Sequence, residues 1–428
     1  MKSQLLARLP RRALWLACVV SLIPWGAARS QTSTGSIRGF VRDETGAPIV
    51  GANVVATNAE TSFQRGALTS ASGFYNIAGL PPGTYELRVS SLGYATQSRT
   101  FRLLVGQTLS LDFRLSTQAV ELEAITATVD RGVETKSPEV ATNITQEQIE
   151  SIPLVDRNFL ALATLAPGVV REGGSITSGG QSMNNINVFV DGITFKSDVL
   201  QGGVAGQDAS KGNPFPQLAV QEFRVITQQY KAEYQKASSA IITATTKSGT
   251  NEWHGDMFLF GQNKDMISRD FITIRNCRES KAANPNFVCA PKPKLDKWQG
   301  GISVGGPLMK DRLFIFGAYE GNHQTRAFTT QLGTPAQQPP EDVMNQLREH
   351  EGTRSSPFRS NLYFGKLTYT PAPEHRFEAS VNIRDEYEIR SFGGMDSYEN
   401  AEHFNNDVRT FALRHQYAKS NLLNEATV

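Results

Sequence analysis

Apolar and polar positions alternate with a period of two along most of this chain from residue 35 onward. In "SIRGFVRDETGAPIVGANVVAT", Ile37, Gly39 and Val41 share one face, the pattern breaks at Thr45-Gly46-Ala47-Pro48, and Ala52, Val54 and Ala56 resume it. "GFYNIAGLPPGTYELRVSSLGY" turns at Pro81-Pro82-Gly83 and continues through Tyr85, Leu87 and Val89. "TLSLDFRL" reads as one strand, with Leu109, Leu111, Phe113 and Leu115 opposite Ser110, Asp112 and Arg114. Short alternating strands between Gly/Pro turns predict a small β-sandwich over residues 35–116.

The pattern then changes. "VELEAITATV" is extended, and "NITQEQIESIP" offers Thr145 as N-cap with Gln148 three residues later, stopping before Pro153. "DRNFLALATLAPG" repeats that grammar, with Asp156 as the expected cap and a stop at Pro167-Gly168. "INVFVDGI" is a strand closed by Asp191-Gly192, and a short helix and further strands follow through Thr246. This predicts a mixed α/β unit over 117–250. Asp191 and Glu222 could be weighed as a catalytic carboxylate pair. However, Asp-Gly is what a tight turn requires, and Glu222 is expected in a solvated segment. No nucleophile, base and oxyanion donors assemble elsewhere, so an enzyme is not expected, and no glycine pattern for nucleotide binding is present.

From Trp253 the strands lengthen without building a second core. "KWQGGISVGG" sets Trp298, Gly300, Ile302 and Val304 against Lys297, Gln299 and Ser303. "HRFEASVNIRD" sets Phe377, Ala379, Val381 and Ile383 against Arg376, Glu378, Ser380, Asn382 and Arg384. "DVRTFALRHQY" sets Phe411, Leu413 and Tyr417 against Thr410, Arg414 and Gln416. Each segment is about as long as a membrane-crossing strand of roughly 9–11 residues. Long connections alternate with short ones: "GGPLMKDR", "PAPEH" and "AKSN" are short, whereas the stretches from "NHQTRAF" to "SSPFRS" and around the two later cysteines are long. Loops sorted by length predict a transmembrane antiparallel β-barrel with long outward loops and short periplasmic turns. The fold class is therefore mainly β: a sandwich, a mixed α/β unit, then partial barrel over 251–428. "REGGSITSGGQSMNN" and the cysteine loop are the expected outward surfaces.

The N-terminus adds a destination. Lys2, Arg8, Arg11 and Arg12 precede the apolar "ALWLACVVSLIPWGAA" and small residues to Ser30, the grammar of a signal peptide over 1–30. Its cleavage removes Cys18 and leaves Cys277 and Cys289, an even pair in an exported chain and so a candidate disulfide, with a loop-closure value of about 3 kcal/mol. No histidine lies between them, and no metal or other cofactor is expected. Lys+Arg 43 against Asp+Glu 41 gives no support for a nucleic-acid partner.

Two resemblances follow from the residues. "VRDETGAPIVGANVVAT" and "TSASGFYNIAGLPPGTYELRVSSLGY" resemble the carboxypeptidase regulatory-like, transthyretin-like domain, which is not catalytic. "NNINVFVDGITF", "PFPQLAVQEFRVITQQYKAEYQKASSAIITATTKSGTNEWHG" and "GGPLMKDRLFIFGAYEG" resemble TonB-dependent outer-membrane receptors of the Oar-like type. That resemblance implies a barrel of about 22 strands whose lumen is filled by a plug. It also implies import of a bulky substrate, energised through TonB with ExbB and ExbD, from an outer membrane with the sandwich in the periplasm. The family's TonB-contact segment maps onto Leu122, Glu123, Ala124, Ile125, Thr126, Ala127, Thr128 and Val129, where strand addition would make the contact; the first strand of the plug is the competing reading. A barrel of that size needs well over 200 residues for its strands at about 10 each, so the chain reads as an N-terminal fragment. Outer-membrane adhesion or surface organisation without active transport is the alternative function.

Overall fold

The computed structural model describes residues 33–117 and 138–428, apart from short segments at 173–174, 198–203, 205–206, 208–209, 211, 233, 286–288, 290–291, 332–339 and 420–421. The signal-peptide reading and the segment Leu122–Val129 lie outside the described residues.

Residues 35–115 form two facing sheets. One contains β1 (Gly35–Asp43), β4 (Phe74–Leu80), β7 (Thr108–Ser110) and β8 (Phe113–Leu115); the other runs β3 (Gln64–Leu68), β2 (Asn53–Asn58), β5 (Gly83–Ser90), β6 (Gln97–Leu103). The alternating residues read from the sequence, among them Ile37, Val54, Tyr85 and Leu87, meet between the sheets and are fully buried. "TLSLDFRL" is two strands rather than one. Both β7 and β8 run parallel to β1, and the chain between them crosses directly over Gly39, where a Cβ would lie 1.9 Å from the Leu111 carbonyl oxygen. Tyr75 Oη donates to that oxygen (2.6 Å), and the Asp112 carboxylate accepts from Phe40 N (2.8 Å). The crossing is thus satisfied by other bonds than a ladder.

The second unit carries a five-stranded sheet. Its order is β13 (Ile193–Thr194), β12 (Ile186–Val190), β15 (Ala240–Thr246), β14 (Val220–Gln228), β9 (Val140–Ile144), with only β12 and β15 parallel. Helix α1 (Gln146–Ser151) begins at Thr145, whose N–H donates to Gln148 Oε1 (3.0 Å) as the spacing predicts. The next element is a 3₁₀ helix, Phe159–Leu165, and its cap is Asn158, not Asp156. Asp156 instead accepts from Arg171 (3.3 Å). A short hairpin, β10 (Val169–Glu172) and β11 (Ser175–Ser178), follows. Strands β12 and β15 are rich in β-branched and apolar residues, as strands covered on both sides must be, whereas β14 turns Phe223 and Val225 to one face and the buried charges Glu222 and Arg224 to the other. Phe223, Val225, Ile241 and Ala244 are fully buried.

The third unit is a single seven-stranded antiparallel sheet in sequence order: β16 (His254–Asn263), β17 (Leu295–Met309), β18 (Leu313–Thr330), β19 (Gly352–Ala372), β20 (His375–Arg390), β21 (Glu402–Lys419) and β22 (Leu422–Thr427). Helix α2 (Phe271–Ala283) lies in the first long connection and α3 (Glu341–Arg348) in the second. Strands β18 and β19 are 18 and 21 residues long, well beyond the 9–11 expected. Residues assigned by sequence to the long loop, Asn322–Thr330 and Gly352–Ser360, pair with each other in unbroken register. On the outward face, Trp298, Tyr319 and Tyr363 border the apolar band. Trp298 lies 4.3 Å from His323 and Tyr319 lies 5.1 Å from Tyr363, ring to ring. Past that border the outward positions of β18 are His323, Thr325, Ala327 and Thr329, so the strands continue into water.

Candidate functional site

The second unit sits against the inward face of the curved sheet, and the seam between them is built largely from charged and polar side chains. The β12–β13 turn supplies the first. Asp191 and Gly192 both have positive φ (+50° and +83°), the two-residue hairpin geometry that Asp-Gly favours. The turn aims the Asp191 carboxylate back at the end of β15 and out at the wall. It accepts from Thr246 N (3.0 Å) and Thr246 Oγ1 (2.5 Å), and from Lys366 Nζ of β19 (3.1 Å). Lys366 also reaches Glu378 of β20 (3.2 Å). Glu378 in turn pairs with Arg376 (3.0 Å) and with Arg414 of β21 (3.4 Å). Arg414 continues to Glu425 of β22 (3.0 Å) and donates to Ser33 Oγ (2.6 Å), just ahead of the sandwich. One line of charge therefore runs from the α/β unit across four wall strands to the sandwich. It borders a cavity of about 420 Å³ lined by Ser33, Tyr85, Asp191, Lys366, Glu378 and Arg414, among others.

Three further contacts repeat the theme. Glu320 of β18 accepts from Leu218 N (2.6 Å) and pairs with Arg157 (3.4 Å), whose guanidinium lies 3.7 Å from the Phe258 ring centroid. Lys247 bridges Glu150 of α1 (3.0 Å) and Asp256 of β16 (3.4 Å). Glu386 of β20 accepts from Ser210 Oγ (2.6 Å) and Arg384 (2.6 Å). The apolar exception is local: Phe215 meets Phe364 at 5.1 Å, beside Phe316. Buried ion pairs of this kind recover little net energy after desolvation, whereas removing one partner is costly. They fix the seat of the inner unit more than they glue it.

The sandwich touches the α/β unit through the other carboxylate singled out above. Glu222 is not solvated: it is 2 % exposed. It accepts from Val105 N and lies 4.0 Å from Arg102 of β6. The sequence misled here because Glu222 alternates onto a face that only a second domain covers. Burial pushes its carboxyl up to about 7, against the pull of the Val105 N–H and the Arg102 charge. Two residues on, Arg224 donates to the Gly106 carbonyl (3.1 Å) and to Glu139 (3.1 Å). Asp191 and Glu222 thus have separate partners and form no acid–base pair.

Cys277, in α2, and Cys289 are disulfide-bonded with Cα atoms 5.5 Å apart. The sequence showed this stretch as a polar loop, whereas it holds a 13-residue helix capped by Asp270, which accepts from Thr273 N (2.8 Å). Among the described residues no cluster of His, Cys, Asp or Glu could hold a metal ion. Lys366 was not singled out from the sequence. Its signal was a lone cation within "NLYFGKLTYT", at an inward position of an otherwise aromatic strand.

Comparison with known proteins gives these units relatives. Residues 36–116 match the carboxypeptidase regulatory-like domain, and residues 245–339 match an outer membrane beta barrel domain. The TonB-dependent transporter Oar of Myxococcus xanthus is 25 % identical over 397 residues, covering 87 % of this chain and 35 % of that protein. This chain therefore spans about a third of the length of the curated relative it matches. Solved structures with similarity include the siderophore receptor PirA from Acinetobacter baumannii (16 % identity, TM-score 0.44, 67 % of this chain and 39 % of that one). Another is the outer membrane transporter YddB from Escherichia coli (12 % identity, TM-score 0.48, 65 % and 37 %). The seven-stranded sheet is accordingly outer-membrane β-barrel wall, and the sandwich lies on the periplasmic side, where the short turns are.

Proposed function

We propose that this protein imports a bulky substrate across the outer membrane through a barrel gated by the α/β unit, its plug, with energy delivered by TonB, ExbB and ExbD to Leu122–Val129. The observation that carries the reading is the polar seam centred on Lys366. A plug welded to its wall by apolar contact would resist movement by about 25 cal/mol for each Å² exposed. A seam of charges and hydrogen bonds can instead exchange its partners for water as the plug shifts, because each group stays solvated in the open state. The likeness to a TonB-dependent transporter over most of this chain supports the same reading. Adhesion without transport needs neither a movable plug nor the segment before it.

The test uses the full-length protein with Leu122–Val129 deleted. The expected result is normal assembly into the outer membrane, with loss of binding to the purified periplasmic domain of TonB. Undiminished binding by the deletion variant would overturn the assignment of that segment, and absence of binding by the wild-type protein would overturn TonB energisation.

A further inference from the structure

We infer that one strand of the plug, β14, clasps the sandwich and strand β9 together, with Arg224 as the joint between them. The transport reading enters only as the source of the force that would open the clasp.

The β6–β7 turn of the sandwich is shaped for this contact. Gly106 takes a left-handed φ of +65°. The turn is closed on itself by Gln107 N to the Leu104 carbonyl (3.1 Å) and Leu104 N to Gln107 Oε1 (3.0 Å). The result is one backbone donor, Val105 N, and one backbone acceptor, the Gly106 carbonyl, offered to the same plug strand. Two residues on the same face of that strand answer them. Glu222 accepts from Val105 N, and Arg224 donates to the Gly106 carbonyl. A guanidinium on a carbonyl is the stronger, charge-assisted kind of hydrogen bond, and the Glu222 carboxyl accepts from Val105 N whether or not it carries a proton. Glu222 and Arg224 are each 2 % exposed, so water does not compete for them.

Arg224 has a second duty. Its other Nη donates to Glu139, and the side chains of this pair are both 2 % exposed. Glu139 immediately precedes β9, which among the described residues is an edge strand of the plug sheet paired with β14. Among the described residues the last strand of the sandwich is β8 and the next strand is β9, so Gly106 and Glu139 lie on either side of residues 118–137. The same guanidinium holds both sides. Tension applied anywhere between the domains therefore loads Arg224 from two directions, and neither the sandwich nor β9 can part from β14 without breaking one of its bonds. The remaining charges around Glu222 fit the arrangement: Arg102 faces it from β6 at 4.0 Å, and Arg224 follows it on its own strand.

Hydrogen exchange on the full-length protein in detergent tests the clasp without any need for TonB, so failure of the transport reading leaves this measurement intact. Two peptides report, one covering 101–107 and one covering 139–144. In Arg224→Gln both are expected to exchange faster by about tenfold or more, the scale of a lost charge-assisted hydrogen bond, while β12 and β15 stay protected. Glu222→Ala is expected to accelerate 101–107 alone, and Glu139→Gln 139–144 alone. The single-sided variants keep the test decisive if Arg224→Gln does not fold. Acceleration of 139–144 but not 101–107 in Arg224→Gln, or no change at 101–107 in Glu222→Ala, would overturn the inference.

Discussion

Lys366 is a wall cation shared by a plug carboxylate, Asp191, and a wall carboxylate, Glu378, and both it and Asp191 are buried. Lys366→Met leaves Asp191 with its Thr246 contacts and Glu378 with two arginines, but removes the bridge. The expected cost is about 3 kcal/mol, the scale for breaking a buried pair from one side. It would be read as a lower urea midpoint for the plug with unchanged heat-modifiable gel mobility of the barrel. Glu222 gives a different handle at this scale. Its carboxyl is raised from the usual 4.5 to about 7 by burial under the sandwich, so the docked form keeps a proton that the undocked form releases. Docking is therefore strongest below about pH 4.5, weakens as the pH rises toward 7, and is flat above that. Dyes placed on sandwich and plug should move apart between pH 5 and 8 in the wild type, and Glu222→Gln should abolish the slope.

The elements show which part of this architecture the residues announce. Alternation located the sandwich core and the wall strands, because a face that meets lipid or a core must be apolar at every second position. It put Glu378 and Arg414 on the inward face correctly, yet it could not say what they face, since a plug contact is not periodic. Three elements departed from their local pattern for tertiary reasons. "TLSLDFRL" breaks because the chain must pass over Gly39. The cap of the 3₁₀ helix moves to Asn158 because Asp156 is turned toward Arg171 and the Lys297 ammonium. Strands β18 and β19 extend past the aromatic border because polar residues pair as well as apolar ones once a ladder is running.

At the scale of the whole molecule, the periplasmic end is tied and the outer end is built up. Asn251, where plug passes into wall, donates to Asp311 Oδ1 (2.7 Å) and accepts from Asp311 N (2.8 Å) in the first short turn, and its own N–H reaches the Glu60 carbonyl of the sandwich (2.9 Å). All three units meet at that asparagine. The outer end is different in kind. At about 3.3 Å per residue, β18 and β19 run for roughly 60–70 Å, against an apolar band about 25 Å tall, so even a tilted wall stands well clear of the lipid. What the cell shows to its surroundings at residues 322–330 and 352–360 is ordered sheet, and that decides what an immune system could learn from it. Antibodies raised against these stretches as free peptides should stain the denatured protein on a blot and leave intact cells dark, whereas sera against the folded barrel should label both stretches together as one conformational epitope. Bright staining of intact cells by the peptide sera would show slack chain where the paired strands stand.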